Sequence, residues 1–198
     1  MPRTNAEHSR ATRQKLLRVA ARVFGRDGFA ATSAERIVRL AGLTRGALYH
    51  HFDGKEGLFA AVLEDRMRGL HRKLAATGRK AHSPLDALRR GIGAYLRAST
   101  VPGFRQIVLI DGPTVVGWER WRSLDLTLGL GLLERALDAA MARGDLARQP
   151  TDVVAQLVAG ALIDGAMVVA RDPTKVRQVE AALWRLVLHG LSAEASST

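Results

Sequence analysis

The sequence predicts an all-α protein with an N-terminal three-helix DNA-binding domain and a C-terminal helical domain, about nine helices in total. Three observations predict this fold. Apolar residues recur at helical spacing along most of the chain. Glycine, proline and helix-capping residues separate these segments. Finally, no segment shows the alternating pattern that is typical of a half-buried strand.

Composition narrows the classes of function. The 198 residues include no cysteine, which excludes a disulfide framework, a thiolate nucleophile and cysteine-based metal sites. Thirty Lys and Arg against nineteen Asp and Glu give a net charge of +11. Eleven of the basic residues but only five acidic ones fall within residues 1–56. This excess favours an anionic partner for the N-terminal segment.

The first three helices show the pattern of a helix-turn-helix. An apolar stripe predicts a first helix over residues 9–26. Thr32 and Glu35 have the spacing of a capping box and are expected to start the second helix. Gly42 then permits a tight turn, and Thr44 is expected to cap a third, short helix. Two short helices joined in this way and packed on a longer one form a helix-turn-helix.

Six further helices are expected in the rest of the chain, with a turn at Asp111-Gly112-Pro113: residues 55–76, 84–99, 104–110, 118–143, 151–171 and 173–191. The expected domains are a DNA-binding domain at 1–55 and a ligand-binding and dimerisation domain at 56–191. The tail at 192–198 is expected to be disordered.

One segment is long enough to be tested as a membrane span. Residues 153–170 are mostly apolar but contain Gln156 and, deep inside, Asp164, which is costly in a bilayer. A buried helix is the better interpretation. The first fifteen residues lack the apolar core of a signal peptide, so a soluble, cytoplasmic protein with no membrane partner is expected.

The start of the third helix carries the residues that a helix-turn-helix places at the base edges of the major groove: Thr44, Arg45, Gly46 and Ala47. Arg45 can donate two hydrogen bonds to guanine O6 and N7. Tyr49, His50 and Lys55 can donate to phosphates, and the amide end of the second helix at Thr32 and Ser33 can bind another. From residue types alone, a plain helical hairpin is equally compatible.

The motif at Thr32–Phe59, TSAERIVRLAGLTRGALYHHFDGKEGLF, resembles the signature of TetR-family (tetracycline-repressor-like) transcription regulators. The resemblance covers residues 11–60. Its specific parts are Ala41-Gly42-Leu43-Thr44, Gly46, Leu48-Tyr49, His51-Phe52, Lys55-Glu56 and Leu58-Phe59. Beyond residue 60, only the number and order of helices resemble the family.

The resemblance implies a role for each matched position. Thr32, Thr44, Tyr49, His50 and Lys55 are expected to contact the DNA backbone, and Arg45, Gly46 and Ala47 to read bases. Arg39 departs from the common family pattern, and it is either an additional phosphate contact or simply exposed. The expected function is a ligand-responsive regulator, a repressor that a small molecule releases from DNA, although activation remains open.

Each of the last two predicted helices has apolar and small residues along one face, where another helix can pack. The resemblance implies that both form a four-helix homodimer interface, which matches a palindromic operator. Packing within one chain is the alternative. The candidate residues are Val153, Leu157, Gly160, Ala161, Asp164 and Val168 on the eighth helix, with Val176, Val179, Leu183 and Leu186 on the ninth.

The resemblance also implies a ligand cavity enclosed by the fourth to seventh helices, for an effector of unknown identity. Candidate lining residues are Tyr95, Phe104, Ile107, Trp118, Trp121 and Leu128, each of which is also a plausible core residue. Asp111 and Asp164 are candidates for binding a cationic ligand. The alternatives are a helix cap for Asp111 and an interface hydrogen bond for Asp164.

The sequence does not predict an enzyme. It lacks the His-Glu-x-x-His, Gly-x-Ser-x-Gly and P-loop motifs, and its six histidines are scattered. No cofactor and no metal site are expected. Two alternatives stay open: a DNA-packaging protein that binds through charge without sequence preference, and a helical enzyme whose site carries no recognisable motif.

Overall fold

The computed structural model describes residues 5–191, which contain helices and no strand. The all-α prediction is therefore confirmed, while Arg3 and the predicted tail at 192–198 lie outside the described residues. The helices are α1 (Asn5–Asp27), α2 (Ala34–Ala41), α3 (Arg45–His51), α4 (Gly54–Gly78), α5 (Pro84–Ser99), α6 (Pro102–Phe104), a π-helix (Arg105–Asp111), α7 (Gly112–Val116), α8 (Trp118–Ala142), α9 (Thr151–Arg171), a 3-10 turn (Pro173–Lys175) and α10 (Val176–Gly190).

The chain folds into two compact units that do not coincide with the expected boundary at residue 55. Unit 1 contains the chain up to Arg66 together with Pro102–Trp121, and unit 2 contains Met67–Val101 together with the chain from Arg122 onwards. The segment Pro102–Trp121 belongs to unit 1 because it packs on α1. A Cβ at Gly25 would lie 3.0 Å from Cα of Gly103, so two glycines allow the two backbones to approach closely.

An aromatic cluster holds unit 1 together. The rings of Phe24, Phe29 and Phe59 contact one another with centroids 5.1 to 5.8 Å apart. Such pairs contribute about 0.5–1.5 kcal/mol each beyond the burial of their area. Because these residues come from α1, the α1–α2 loop and α4, the cluster fixes the frame on which α2 and α3 pack.

The helix-turn-helix has one cap that differs from the prediction. Ser33, not Thr32, caps α2, since its hydroxyl accepts a hydrogen bond from the Arg36 amide at 3.2 Å. Thr32 is 2% exposed and donates its hydroxyl to the Gly28 carbonyl at 2.7 Å. The predicted capping box is therefore wrong by one residue. Thr44 does cap α3, and Gly42 adopts the expected left-handed conformation with φ 58°.

The predicted turn at Asp111-Gly112-Pro113 is also wrong, because the chain passes from the π-helix directly into α7. Pro113 lies in the first turn of α7, where a missing amide hydrogen costs no helical bond. Tertiary bonds hold this segment: Asp111 Oδ2 accepts from the Phe29 amide at 2.8 Å, and Trp121 Nε1 donates to the Val108 carbonyl at 2.6 Å.

Unit 2 is built on α5, α9 and α10, which pack on one another. Its core includes Leu88, Leu137, Ala140, Met141 and Ala155, all buried. Of the described helices, α9 alone is long and apolar enough to cross a membrane. Three of its apolar residues, Ile163, Ala166 and Val169, are buried inside the protein.

Replacing Ser33 tests the corrected cap. Ser33→Ala removes the acceptor for the Arg36 amide and should lower the free energy of unfolding by about 1 kcal/mol, measured by urea titration without DNA. Ser33→Gly is the matched control and should cost only a few tenths of that amount. Equal stability of wild type and Ser33→Ala would contradict this assignment of the cap.

Candidate functional site

The exposed face of α3 is the first candidate site. Leu48 is fully buried and anchors the helix, whereas Arg45, Gly46, Tyr49 and His50 are exposed. Thr44 is exposed as well and accepts from the Ala47 amide at 3.2 Å, while Ala47 itself is half-buried. Except for Ala47, the residues predicted on α3 thus share one accessible surface of unit 1.

The Arg45 side chain contacts Tyr49 of the same helix. Its guanidinium lies 5.5 Å from the centre of the Tyr49 ring, with Nη2 3.4 Å from the Tyr49 hydroxyl. The hydrogen bond and charge interaction with Tyr49, followed by the nearby Glu35 carboxylate, raise the pKa of Arg45 above its ordinary value. All three side chains are exposed. Arg45 therefore remains charged, and its weak surface contacts leave it able to turn toward a base.

Two residues that are predicted to contact the DNA backbone, Lys55 and Thr32, make hydrogen bonds within the protein. Lys55 donates from Nζ to the carbonyls of Phe29 and Thr32, at 3.2 and 3.0 Å, and lies 3.9 Å from the centre of the Phe29 ring. Thr32 is buried with its hydroxyl bonded to Gly28. Lys55 thus holds the α1–α2 loop against the start of α4, and the Thr32 hydroxyl closes a bond within that loop. Their expected contacts with the DNA backbone stay predictions.

Other basic side chains extend the surface of unit 1. Ser33 and Arg39 are exposed at opposite ends of α2. On α1 the exposed Lys and Arg residues are Arg10, Arg13, Lys15, Arg18, Arg22 and Arg26. Sequence analysis predicted this positive charge, and the structure leaves these side chains accessible to an anionic partner.

The second candidate site is a cavity of about 570 Å³ in unit 2. Most of its lining is apolar and comes from α4, α5, α8 and α9, including Leu74, Leu88, Ile92, Leu126 and Leu133. This size and this apolar character are typical of pockets for small molecules. Tyr95 and Pro84 both line it from α5, so the cavity extends about 16 Å along that helix.

Tyr95 is the one predicted ligand residue that lines this cavity, and the prediction of the others is corrected. Five belong to unit 1, where the core or tertiary bonds hold several of them: Phe104, Ile107, Asp111, Trp118 and Trp121. Leu128 and Asp164 lie in unit 2 but outside the lining, and Asp164 is exposed. Of these aromatic residues Trp121 is fully buried in the core, whereas Phe104 is half-buried and Trp118 is exposed.

A buried polar network interrupts the apolar lining. Asp125 Oδ2 accepts from the Tyr95 hydroxyl at 3.0 Å, and Asp125 Oδ1 lies 3.2 Å from Nε2 of His71. Burial, together with the Asp125 charge, raises the pKa of Tyr95 well above its ordinary value, so the phenol stays protonated. Sequence analysis missed His71 and Asp125. The available signal was an aspartate inside the apolar run 124–133.

The outer side of α9 and α10 exposes large apolar side chains. Leu157 is 70% and Leu186 65% exposed, and Val153 and Val168 are also exposed. Asp164 is exposed on α9, whereas Gly160, Ala161 and Val176 are half-buried. Leu183 is buried and, with Val179, packs on Gly165 of the same chain. Leu183 thus belongs to the core of its own chain, and half-buried Val179 lies beside it.

Together, a helix-turn-helix and a helical unit with an apolar cavity define a DNA-binding regulator fold. Two family models match the chain: "Bacterial regulatory proteins, tetR family" at residues 16–62 and "Tetracyclin repressor-like, C-terminal domain" at residues 85–191. The chain therefore belongs to the TetR family.

Solved and curated relatives agree with this assignment. A TetR-family transcriptional regulator from Pectobacterium atrosepticum has 32% identity and a TM-score of 0.84, over 97% of this chain and 99% of that one. The HTH-type transcriptional regulator AcrR of Shigella flexneri is 34% identical over 56% of this chain and 52% of its own length. This match thus spans about half of the curated relative. The SmeT–triclosan complex shares the fold at 23% identity and TM-score 0.71, over 93% of each chain.

Replacing Gly129 with alanine tests how the polar network packs. A Cβ at Gly129 would lie 2.5 Å from Cε1 of His71, so Gly129→Ala should displace the ring from Asp125. We expect a loss of about 1–3 kcal/mol in the free energy of unfolding, measured by urea titration. In the control Gly131→Ala the new Cβ meets only a flexible arginine at 3.4 Å, and stability should hold or rise by up to about 1 kcal/mol. Equal behaviour of the two variants would argue against this packing role.

Proposed function

We propose that the protein is a transcriptional repressor that binds a palindromic operator as a homodimer and is released by a small molecule. The observation that carries the proposal is the accessible face of α3, with Arg45 at its first turn. It acts in the cytoplasm and catalyses no reaction. Membership of the TetR family supports regulation over both DNA packaging and enzymatic activity.

DNA recognition divides between base readout and phosphate binding. Arg45 reads guanine through its guanidinium fork, while Gly46 and Ala47 leave room for the groove floor. Thr44, Tyr49 and His50 contact phosphates beside α3, and Ser33 and Arg39 do so from α2. Thr32 and Lys55 contribute indirectly, because their side chains position the loop that precedes α2.

The exposed apolar face of α9 and α10, here called the dimer face, is the surface for a second copy. It comprises Val153, Leu157, Val168 and Leu186, together with Gly160, Ala161, Asp164 and Val176. A monomer would leave these large side chains in water, whereas a two-fold dimer buries them and repeats the reading helix for a two-fold operator.

Ligand control follows from the cavity in unit 2. Helix α4 starts three residues after α3 and also lines this cavity with His71, Leu74 and Gly78. A ligand that shifts α4 thereby shifts the start of the helix next to α3. Affinity falls when the two reading helices of the dimer no longer match the half-site spacing. The SmeT–triclosan complex illustrates that this fold accommodates a small molecule.

Selection of bound duplexes from a random DNA library at near-physiological salt tests the function directly. A single recovered palindrome supports a dimeric, sequence-specific regulator. Recovery of no motif, with binding that simply fades as salt rises, would instead establish charge-driven packaging.

Substitutions of Arg45 and Arg39 distinguish base readout from phosphate binding. Arg45→Ala should cost about 1–3 kcal/mol of binding and relax base preference at one position of each half-site. Arg39→Ala should weaken all duplexes about equally and reduce the salt slope by about one. Affinities by fluorescence anisotropy at several salt concentrations provide the measurement.

Arg90→Ala is the matched control for charge, since Arg90 is exposed in unit 2 and pairs with Asp86. It should leave both specificity and salt slope unchanged. If Arg45→Ala behaves like Arg39→Ala, Arg45 binds phosphate and the base-reading role is wrong.

The dimer face is tested by placing charge on it. Leu157→Arg combined with Leu186→Arg should convert the protein to a folded monomer, because two buried copies of each charge would lack partners. Light scattering coupled to gel filtration measures the mass. Val101→Arg, at a residue 53% exposed elsewhere in unit 2, is the control and should remain dimeric. A double variant that stays dimeric would place the interface on another surface.

A further inference from the structure

The cavity of unit 2 has two chemically different ends. Near the end of α5, Tyr95 donates a hydrogen bond to Asp125, which lies near the start of α8. Near the start of α5, Leu88 belongs to the same core cluster as Met141, which lies near the end of α8. The two helices therefore run in opposite directions along the cavity. The polar network marks one end, here called the network end, and the start of α5 marks the other.

Three arginines line the cavity away from the network end. Arg79 follows directly after α4, and Arg143 follows directly after α8. Arg135 lies on α8, about 15 Å along the helix from Asp125. All three side chains belong to exposed residues, so they lie where the cavity meets water. We call this group of three arginines the arginine end.

The positive charge of the arginine end is not neutralised within the protein. Arg143 pairs with Asp145 at 3.2 Å, but neither Arg79 nor Arg135 has an ion pair among residues 5–191. Asp125 is the single carboxylate among the described residues of the lining. Both of its oxygens already interact at the network end, one with the Tyr95 hydroxyl and the other with the His71 ring. Two guanidinium groups therefore lack a carboxylate partner.

We propose that the cavity binds an amphipathic anion, an elongated apolar molecule with one carboxylate or phosphate group that pairs with Arg79 and Arg135. The proposal rests on the proposed function, since it names the ligand class for the same cavity. The apolar body lies along leucines such as Leu126 and Leu133, in a volume of about 570 Å³. Carboxylate and phosphate oxygens match the donors of a guanidinium fork.

The two ends of the cavity determine how such a ligand is oriented. At the network end an anion would lose its hydration beside the buried carboxylate of Asp125, which is unfavourable. At the arginine end it keeps contact with water and gains hydrogen bonds from arginine. An exposed ion pair contributes little by itself, so burial of the apolar body supplies most of the affinity and the arginines select the charge. A cationic head group would instead be repelled.

Ligands that differ only in the head group test the proposal on the wild-type full chain. Isothermal titration calorimetry at near-physiological salt compares dodecanoate, dodecyl phosphate, 1-dodecanol and dodecylammonium, each below the concentration at which it forms micelles. We expect at least one anion to bind about tenfold more tightly than 1-dodecanol, and the ammonium compound to bind most weakly. The tighter of the two anions identifies the head group. No binding of either anion, no preference for an anion over the alcohol, or tightest binding of the ammonium compound would overturn the proposal.

A double variant assigns the preference to the two unpaired arginines. Arg79→Gln combined with Arg135→Gln should remove most of the preference for the anion and leave the affinity for 1-dodecanol unchanged, which also shows that the cavity is folded. Arg72→Gln is the matched control, because Arg72 is exposed on α4 but does not line the cavity. It should keep the preference. A preference that persists in the double variant, or that Arg72→Gln removes equally, would contradict the role of the arginine end.

A variant at Gly91 shows whether the ligand occupies the cavity. Gly91 lines the cavity from α5, and a Cβ added there would meet nothing within 4 Å. Gly91→Leu therefore fits the helix and places a side chain in the cavity, so it should weaken dodecanoate and 1-dodecanol alike, by about tenfold. Unchanged affinity for both would place the ligand elsewhere. This comparison and the wild-type series decide the proposal even if the double arginine variant fails to fold.

Operator binding is measured in parallel with the selected duplex. Specific DNA binding without a preference for the anion would overturn only this inference and leave the proposed function intact. Anion-selective binding in a protein that recognises no DNA sequence would overturn the proposed function and leave the chemistry of the cavity established.

Discussion

Helix α4 is the constraint on which the rest of the structure depends. It runs without interruption from Gly54 to Gly78, so its 25 residues span about 37 Å. Near its start, Lys55 holds the carbonyls of the α1–α2 loop, and Phe59 completes the aromatic cluster. Further along, His71 joins the polar network of the cavity. One helix thus carries residues of both candidate sites.

Lys55 makes hydrogen bonds within the protein although it lies in the DNA-binding motif. Its ammonium group donates to two carbonyls and stacks on a phenyl ring, which together satisfy a cation near the protein surface. These bonds tie the first turn of α4 to the segment that precedes α2. A lysine at this position is therefore explained by the geometry of the fold itself.

Sequence patterns predicted local features of the fold well. The cap at Thr44 and the turn at Gly42 each depend on a few neighbouring residues, and the structure confirms both. The misplaced cap at Thr32 shows the limit, since adjacent Thr and Ser fit the same pattern equally well. Only tertiary packing decides between them, because burial directs the Thr32 hydroxyl to Gly28.

The cavity was harder to predict because its residues carry no local signal. The sequence predicts aromatic side chains as the lining, yet Trp121 is fully buried and its indole donates to the Val108 carbonyl. The actual polar residues, His71 and Asp125, lie 54 positions apart and meet only in the folded unit. The lack of a side chain at Gly129 matters only in the folded unit, where the ring of His71 lies against it. Such long-range complementarity is invisible to periodicity and spacing.

Tyr95 and Asp125 of the polar network lie on either side of one segment along the chain. Tyr95 lies on α5 and Asp125 on α8, and these two helices flank the segment Pro102–Trp121 in the chain. That segment belongs to unit 1, where Asp111 accepts from the Phe29 amide. The π-helix within this segment is a geometry often found at functional sites, and it allows a shift in helical register without a break in the chain. The loop before α2 is thus held by residues of two elements of unit 1, Lys55 on α4 and Asp111 on the π-helix, and both bind the backbone of Phe29.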